Sequence, residues 1–101
     1  MNILKTLEND TLTLALEGWL DTNTSAELAA EIEKIEGIKH LIFDFEKLEY
    51  ISSAGLRQIA ATARKCKAMD AQFTILNAGR EVMSVFKLTG LDKKFNITEK
   101  Q

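Results

Sequence analysis

The sequence is poor in the residues on which many catalytic and metal sites depend. It has one cysteine and one histidine among 101 residues, too few for an internal disulfide or a cluster of His and Cys ligands. The histidine, His40, stands just before an apolar run that is typical of a strand, which favours a structural role over a catalytic one. No glycine-rich phosphate loop or nucleophile elbow is present. We therefore expect no catalytic residue, no metal ion and no cofactor, and a protein that is not an enzyme.

Proline, long apolar runs and a strong charge of one sign are also missing. The chain has no proline and no low-complexity segment, so nothing marks a linker, and we expect one domain over residues 1–101. No apolar run approaches the roughly 20 residues of a membrane span, and residues 1–8 lack the pattern of a secretory segment. A net charge of −2 gives no basis for nucleic acid binding. These features favour a cytoplasmic protein that does not insert into a membrane, and they leave self-association open.

What the sequence does contain is an alternation of short apolar runs with helical stripes. Ile3 to Glu8 and Leu12 to Glu17 flank a turn-forming Asn-Asp pair and predict a hairpin, and Gly18 is expected to interrupt the second run. Further elements are expected at Thr24 to Ile35 (helix), Leu41 to Phe45 (strand), Ser52 or Ser53 to about Met69 (helix), Gln72 to Leu76 (strand), Arg80 to Leu88 (helix) and Phe95 to Ile97 (strand). This order predicts a small α/β fold with a mixed, mainly parallel sheet of about four to five strands and three to four helices.

Two helix starts carry clusters of polar residues. Thr24 has the spacing of a capping box with Glu27, although Thr22 or Asn23 would serve equally well as the N-cap. Either serine of the Ser52-Ser53 pair can cap the second helix by accepting a hydrogen bond from an N–H group of the first turn. A helix start is positively polarised and also tolerates a phosphate.

The segment around these serines resembles a known family signature. Tyr50 to Arg57, with the sequence YISSAGLR, resembles the signature of the STAS domain, the fold of bacterial anti-sigma factor antagonists. Leu16 to Asp21, Phe73 to Gly79 and Leu88 to Asp92 resemble other segments of that family and occur in the same order. The resemblance covers nearly the whole chain and implies a STAS-like domain.

The resemblance also implies a site. In the family a serine of this turn is phosphorylated by a partner kinase, and the matching position is Ser53; the structural alternative is a helix N-cap. Ser52 stands where the family has an aspartate. The polar residues after the second strand are expected beside this helix start, at the edge that contacts the kinase, or else form a solvated loop. The expected phosphosite loop and partner interface therefore comprise Ser52, Ala54, Gly55, Asp21, Thr22 and Asn23.

By this resemblance the protein would be an anti-sigma factor antagonist. It would bind an anti-sigma factor that is also a serine kinase and thereby release the sigma factor. Phosphorylation of Ser53 would end the binding and a serine phosphatase would restore it, with ATP and magnesium brought by the partner. The missing aspartate at Ser52 keeps a second hypothesis open, that of a phosphorylation-independent scaffold subunit of a lipid-transport or signalling complex.

Trp19 is the only tryptophan of the chain. An aromatic residue on a loop can be an anchor for a binding partner. Partial burial against the first helix is the more frequent outcome for such a residue, and it is the one we expect.

Overall fold

The computed structural model of the protein describes residues 1–100. Within them, six strands alternate with three α-helices and one 3-10 helix. In chain order these are β1 (Asn2–Glu8), β2 (Thr11–Leu20), α1 (Thr22–Glu33), β3 (His40–Asp44), β4 (Leu48–Ile51), α2 (Ser53–Ala68), β5 (Gln72–Ala78), α3 (Arg80–Thr89), the 3-10 helix (Leu91–Lys93) and β6 (Asn96–Glu99).

The six strands form one mixed, mainly parallel sheet, which confirms the predicted class. The strand order is β1-β2-β3-β5-β6. Strand β4 is not part of this row: it pairs with the last residues of β2, beyond the part of β2 that pairs with β3. Only the β1–β2 hairpin at one edge is antiparallel, and every other pair is parallel. The sheet has one strand more than expected because β4 was predicted as a charged connection.

Strand β2 changes partner along its length, and this changes the interpretation of Gly18. Residues 11–15 pair with β3, whereas residues 18–20 pair with β4. The register shifts between Gly18 and Trp19, and Gly18 has φ +101°, a conformation that glycine adopts without steric cost. The prediction that Gly18 interrupts the strand is therefore wrong: it forms an irregularity within a strand that continues to Leu20.

The remaining boundaries follow the predicted ones closely. Every predicted strand and helix other than β2 ends within about two residues of its expected limits. The helix predicted from Thr24 instead begins at Thr22 and ends at Glu33. Gly37, with φ +72°, lies in the connection to β3 rather than at the helix end. No helix within residues 1–100 is long and apolar enough to cross a bilayer.

The core lies between the sheet and the helices. The strands contribute buried residues at alternate positions, such as Leu14 and Leu16 of β2, and the helices contribute Leu28, Ile59 and Phe86 to the same cluster. Five phenylalanine rings extend it in a chain of contacts with centroids 5.0–6.5 Å apart: Phe43, Phe45, Phe73, Phe86 and Phe95. This core fixes α1 and α2 against the sheet and so fixes where each helix begins.

Candidate functional site

The starts of α1 and α2 lie side by side because the strands before them are paired. Strands β2 and β4 run parallel and end together, with Leu20 opposite Ile51. The N–H group of Ser52 donates to the carbonyl oxygen of Leu20 over 2.9 Å, which ties the two strand ends together. The next residue on each strand, Asp21 or Ser52, is the N-cap of a helix. The two polar clusters are therefore neighbours, as the sequence predicted.

Helix α1 is capped by Asp21. Its carboxylate accepts from the N–H group of Thr24 over 3.0 Å, and the Thr24 hydroxyl oxygen accepts in return from the N–H group of Asp21 over 2.7 Å. The N–H group of Thr24, and its hydroxyl at 3.1 Å from the same carboxylate oxygen, stabilise the ionised form and hold the pKa of the Asp21 carboxyl below its usual value. The predicted caps are wrong: Thr24 is the third residue of the helix and closes the capping box, and Thr22 and Asn23 are exposed residues of the first turn.

Helix α2 is capped by the first serine of the pair. The hydroxyl oxygen of Ser52 accepts from the N–H group of Gly55 over 3.2 Å, and the backbone of Ser52 is extended, with φ −96° and ψ 176°. Ser53 is the first helical residue and is exposed. Its hydroxyl makes no hydrogen bond within residues 1–100. The two serines thus differ in position, and the hydroxyl of Ser53 is the one that faces solvent.

The electrostatic surroundings of Ser53 suit an anion. The first turn of α2 carries no acidic side chain, and Ser53 stands at the positively polarised end of a helix of 16 residues. Arg57, one turn further along α2, is exposed. A phosphate ester at Ser53 would meet backbone N–H groups and the helix dipole without displacing the cap.

Gly55 holds the start of α2 against both strand ends. It is buried, and a Cβ atom at this position would stand 2.8 Å from the side chain of Ile51 and 2.8 Å from the carbonyl oxygen of Leu20. The neighbouring Ala54 is half-buried. Gly55 is therefore required for close packing, and it sets how far Ser53 projects from the sheet.

Two exposed aromatic residues stand on the strands that lead into the site. Trp19 and Tyr50 are opposite each other on β2 and β4, with ring centroids 5.4 Å apart and exposures of 58% and 48%. The expected burial of Trp19 against α1 is wrong, because β2 continues through this residue and turns its side chain outward. Sequence reasoning missed the pair because it did not predict β4; the usable signal was an aromatic residue two positions before each polar cluster, Trp19 before Asp21 and Tyr50 before Ser52.

The residues with a potentially nucleophilic or basic side chain, Cys66 and His40, lie apart from this site. Burial raises the pKa of the Cys66 thiol in α2, and Nε2 of His40 lies 2.8 Å from the Thr74 hydroxyl oxygen. Within residues 1–100, no group of three or more His, Cys, Asp or Glu side chains is placed to hold a metal ion.

Comparison with known proteins identifies the family. The STAS domain family matches residues 2–100, and the chain belongs to it. A relative from Bordetella bronchiseptica, BtrV, named as a candidate anti-sigma factor antagonist, is 34% identical over 65 residues, which are 64% of this chain and 54% of that protein. The chain thus spans about half the length of this relative. The anti-sigma-F factor antagonist RsfB of Mycobacterium tuberculosis is 29% identical over 91 residues, covering 88% of this chain and 74% of that one.

Solved structures confirm the STAS fold. An anti-sigma factor antagonist from Mycobacterium paratuberculosis superposes with a TM-score of 0.84 at 26% identity, over 95% of this chain and 83% of the other. The unphosphorylated form of SpoIIAA superposes with a TM-score of 0.81 at 22% identity, over 96% and 88% of the two chains.

Proposed function

We propose that this protein is an anti-sigma factor antagonist that is switched by phosphorylation of Ser53. The observation that carries the proposal is the division of roles at the start of α2, where Ser52 caps the helix and the exposed Ser53 is left for a partner. The names of the relatives support the class of partner, an anti-sigma factor; that this factor would also be a serine kinase rests on the resemblance of the serine turn to the family signature. A serine phosphatase would reverse the modification.

The switch would act on the surface rather than on the fold. A phosphate adds about −1.5 to −2 charge and three strong acceptor oxygens. The N-terminus of α2 can accommodate this charge, so the domain stays folded. A partner docked over Ser53 would meet a bulky anion that is costly to desolvate, and the complex would dissociate.

The rest of the proposed interface follows from the paired strand ends. Thr22 and Asn23 are exposed in the first turn of α1, and we assign them to contacts with the partner together with Asp21. Ser52, Ala54 and Gly55 shape the loop that presents Ser53. The protein would act by binding, in the cytoplasm and without a cofactor of its own, as one domain over residues 1–101.

A second candidate function rests on the same turn. Ser52 occupies the place of the aspartate that the family signature carries beside its phosphoacceptor. This favours, as the alternative, a scaffold subunit of a lipid-transport or signalling complex that binds its partner without phosphorylation.

The first test is phosphopeptide mass spectrometry of the Ile51 to Arg57 segment, on protein isolated from its own cells during growth and during stress. The second is to purify a tagged form of the protein from those cells and to identify the partners that are recovered with it. We expect phosphate on Ser53 with an occupancy that changes with condition. The unmodified protein and Ser53→Ala should recover an anti-sigma factor, and Ser53→Asp should not. Asn9→Asp, which adds one charge at the other end of β2, is the matched control and should behave as the unmodified protein.

The scaffold alternative gives the opposite pattern. It requires that Ser53 is found unmodified in a measurement that covers the whole Ile51 to Arg57 segment. It also requires a stable, stoichiometric complex with a transporter ATPase, and that the Ser53→Asp variant still forms this complex. That result would replace the phosphorylation switch.

A further inference from the structure

A shallow groove runs between β4 and α3, next to the phosphosite. It has a volume of about 190 Å³ and an apolar floor formed by Ile51, Val82 and Val85. Tyr50 forms one wall, and Glu49 and Glu81 complete the lining. We call it the β4–α3 groove. Because Ile51 lines the groove and Ser52 and Ser53 follow it directly, the groove and the phosphosite are parts of one continuous surface.

Apolar surface continues beyond the groove on both sides. On one side Trp19 lies beside Tyr50, with ring centroids 5.4 Å apart and the ring planes tilted by 54°. On the other, Leu88 lies one turn beyond Val85 on α3 and is 88% exposed. Three of the five large hydrophobic side chains that are well exposed within residues 1–100 belong to this surface: Trp19, Tyr50 and Leu88. Such clustering marks an interaction site rather than scattered surface apolarity.

The charges at the groove have one sign. Glu49 and Glu81 are both exposed, and neither makes an ion pair within 4.0 Å in the described part of the chain. An occupant that places an apolar side chain between Tyr50 and Val85 would therefore gain from basic residues on either side of it.

We propose that the β4–α3 groove is the anchor site for the anti-sigma factor, an inference that rests on the proposed function. The partner inserts one apolar side chain into the groove and flanks it with Lys or Arg that face Glu49 and Glu81. The groove supplies affinity, and Ser53, at the adjacent helix start, supplies the switch. A specific interface covers about 800 Å² per partner, more than a single helix start offers, so a partner centred on Ser53 has to extend over neighbouring surface.

The experiment measures binding of the purified anti-sigma factor that the unmodified protein recovers from its own cells. The variants are Tyr50→Ala, which removes the groove wall, and Glu49→Lys, which reverses a rim charge. Their matched controls are Leu7→Ala, another exposed apolar residue, and Glu8→Lys, another exposed acid, both at the far end of the β1–β2 hairpin. Circular dichroism and thermal melts check that each variant is folded.

We expect Tyr50→Ala to raise the Kd for the anti-sigma factor by roughly tenfold or more, as for the loss of an aromatic anchor that the partner buries. Glu49→Lys should weaken binding by a few-fold, and more at low salt than at high salt. Both controls should stay within about twofold of the unmodified protein. Trp19 is the only tryptophan, so its emission should shift to the blue when the partner covers the adjacent ring.

Three other outcomes separate the possible failures. If the unmodified protein binds the anti-sigma factor but Tyr50→Ala and Glu49→Lys bind equally well, the groove is not the anchor and the proposed function stands. If the unmodified protein binds no anti-sigma factor, the proposed function itself fails, and this inference fails with it. If light scattering shows self-association of the unmodified protein that Tyr50→Ala abolishes, the occupant is a second copy of this chain.

Discussion

At the scale of single residues, the two serines at the start of α2 differ in their contacts. The Ser52 hydroxyl oxygen accepts a hydrogen bond from the N–H group of Gly55, whereas Ser53 is the first residue of the helix and takes no part in the cap. The sequence located the pair but could not tell which serine caps, because both are chemically able to. The choice is made by the end of β4, where Ser52 is bonded to Leu20 of the neighbouring strand, a contact between residues far apart in the chain.

Replacing each serine by alanine should show which of the two stabilises α2. Ser52→Ala removes the cap and should lower the free energy of unfolding by about 1 kcal/mol, a fall in Tm of about 4–8 °C. Ser53→Ala removes an exposed hydroxyl without a bond, so its free energy of unfolding should change by less than about 0.5 kcal/mol. Urea denaturation of the two variants beside the unmodified protein measures both. Equal effects of the two substitutions would contradict the assignment of the cap to Ser52.

At the scale of elements, the site depends on a strand that sequence patterns do not reveal. Strand β4 has four residues, buried at its two ends and exposed at Glu49 and Tyr50, so it lacks the alternation by which strands are recognised. Its pairing with β2 also skips Glu49 at the register shift. The outward position of Trp19 follows from its pairing with Tyr50 of β4. Because the sequence does not predict β4, it does not predict this position of Trp19 either.

The junction of β2, β4 and α2 should be intolerant of one extra carbon atom. Gly55→Ala places a Cβ 2.8 Å from a backbone carbonyl oxygen and from Ile51, so α2 has to shift, at a cost of about 2–3 kcal/mol. Gly79→Ala is the matched control: its Cβ meets nothing within 4 Å, and because Gly79 is the N-cap of α3, where alanine is less favourable than glycine, the free energy of unfolding should fall by no more than about 1 kcal/mol. Denaturant midpoints of the two variants measure the difference. A Gly55→Ala variant as stable as Gly79→Ala would show that the packing is looser than described.

At the scale of the whole molecule, one aromatic cluster joins α3 to the sheet. Phe86 of α3 is fully buried and packs against Phe45 at 6.5 Å and Phe95 at 6.2 Å. The alternation of strands and helices predicted this layered α/β arrangement correctly, because apolar periodicity reports which face of each element is buried. It could not predict which rings meet, since those contacts depend on the order of strands in the sheet.

Loss of one ring from this cluster should affect the entire fold. Phe86→Ala should lower the free energy of unfolding by about 3–5 kcal/mol, a large part of the 5–15 kcal/mol usual for such domains. Leu88→Ala is the control two residues along the same helix; with Leu88 88% exposed, its effect should be within about 0.5 kcal/mol. Guanidinium unfolding measures both values. A small effect of Phe86→Ala would mean that α3 docks independently of the core.

The change of partner along β2 also has a consequence for synthesis on the ribosome. The β1–β2 hairpin can form as soon as its own residues have emerged, but residues 18–20 find their strand neighbour only in residues 48–51. Until that later segment has left the exit tunnel, the end of β2 lacks its strand neighbour, and the starts of α1 and α2 have nothing to bring them together. The two helix starts should therefore come together only after the hairpin has formed.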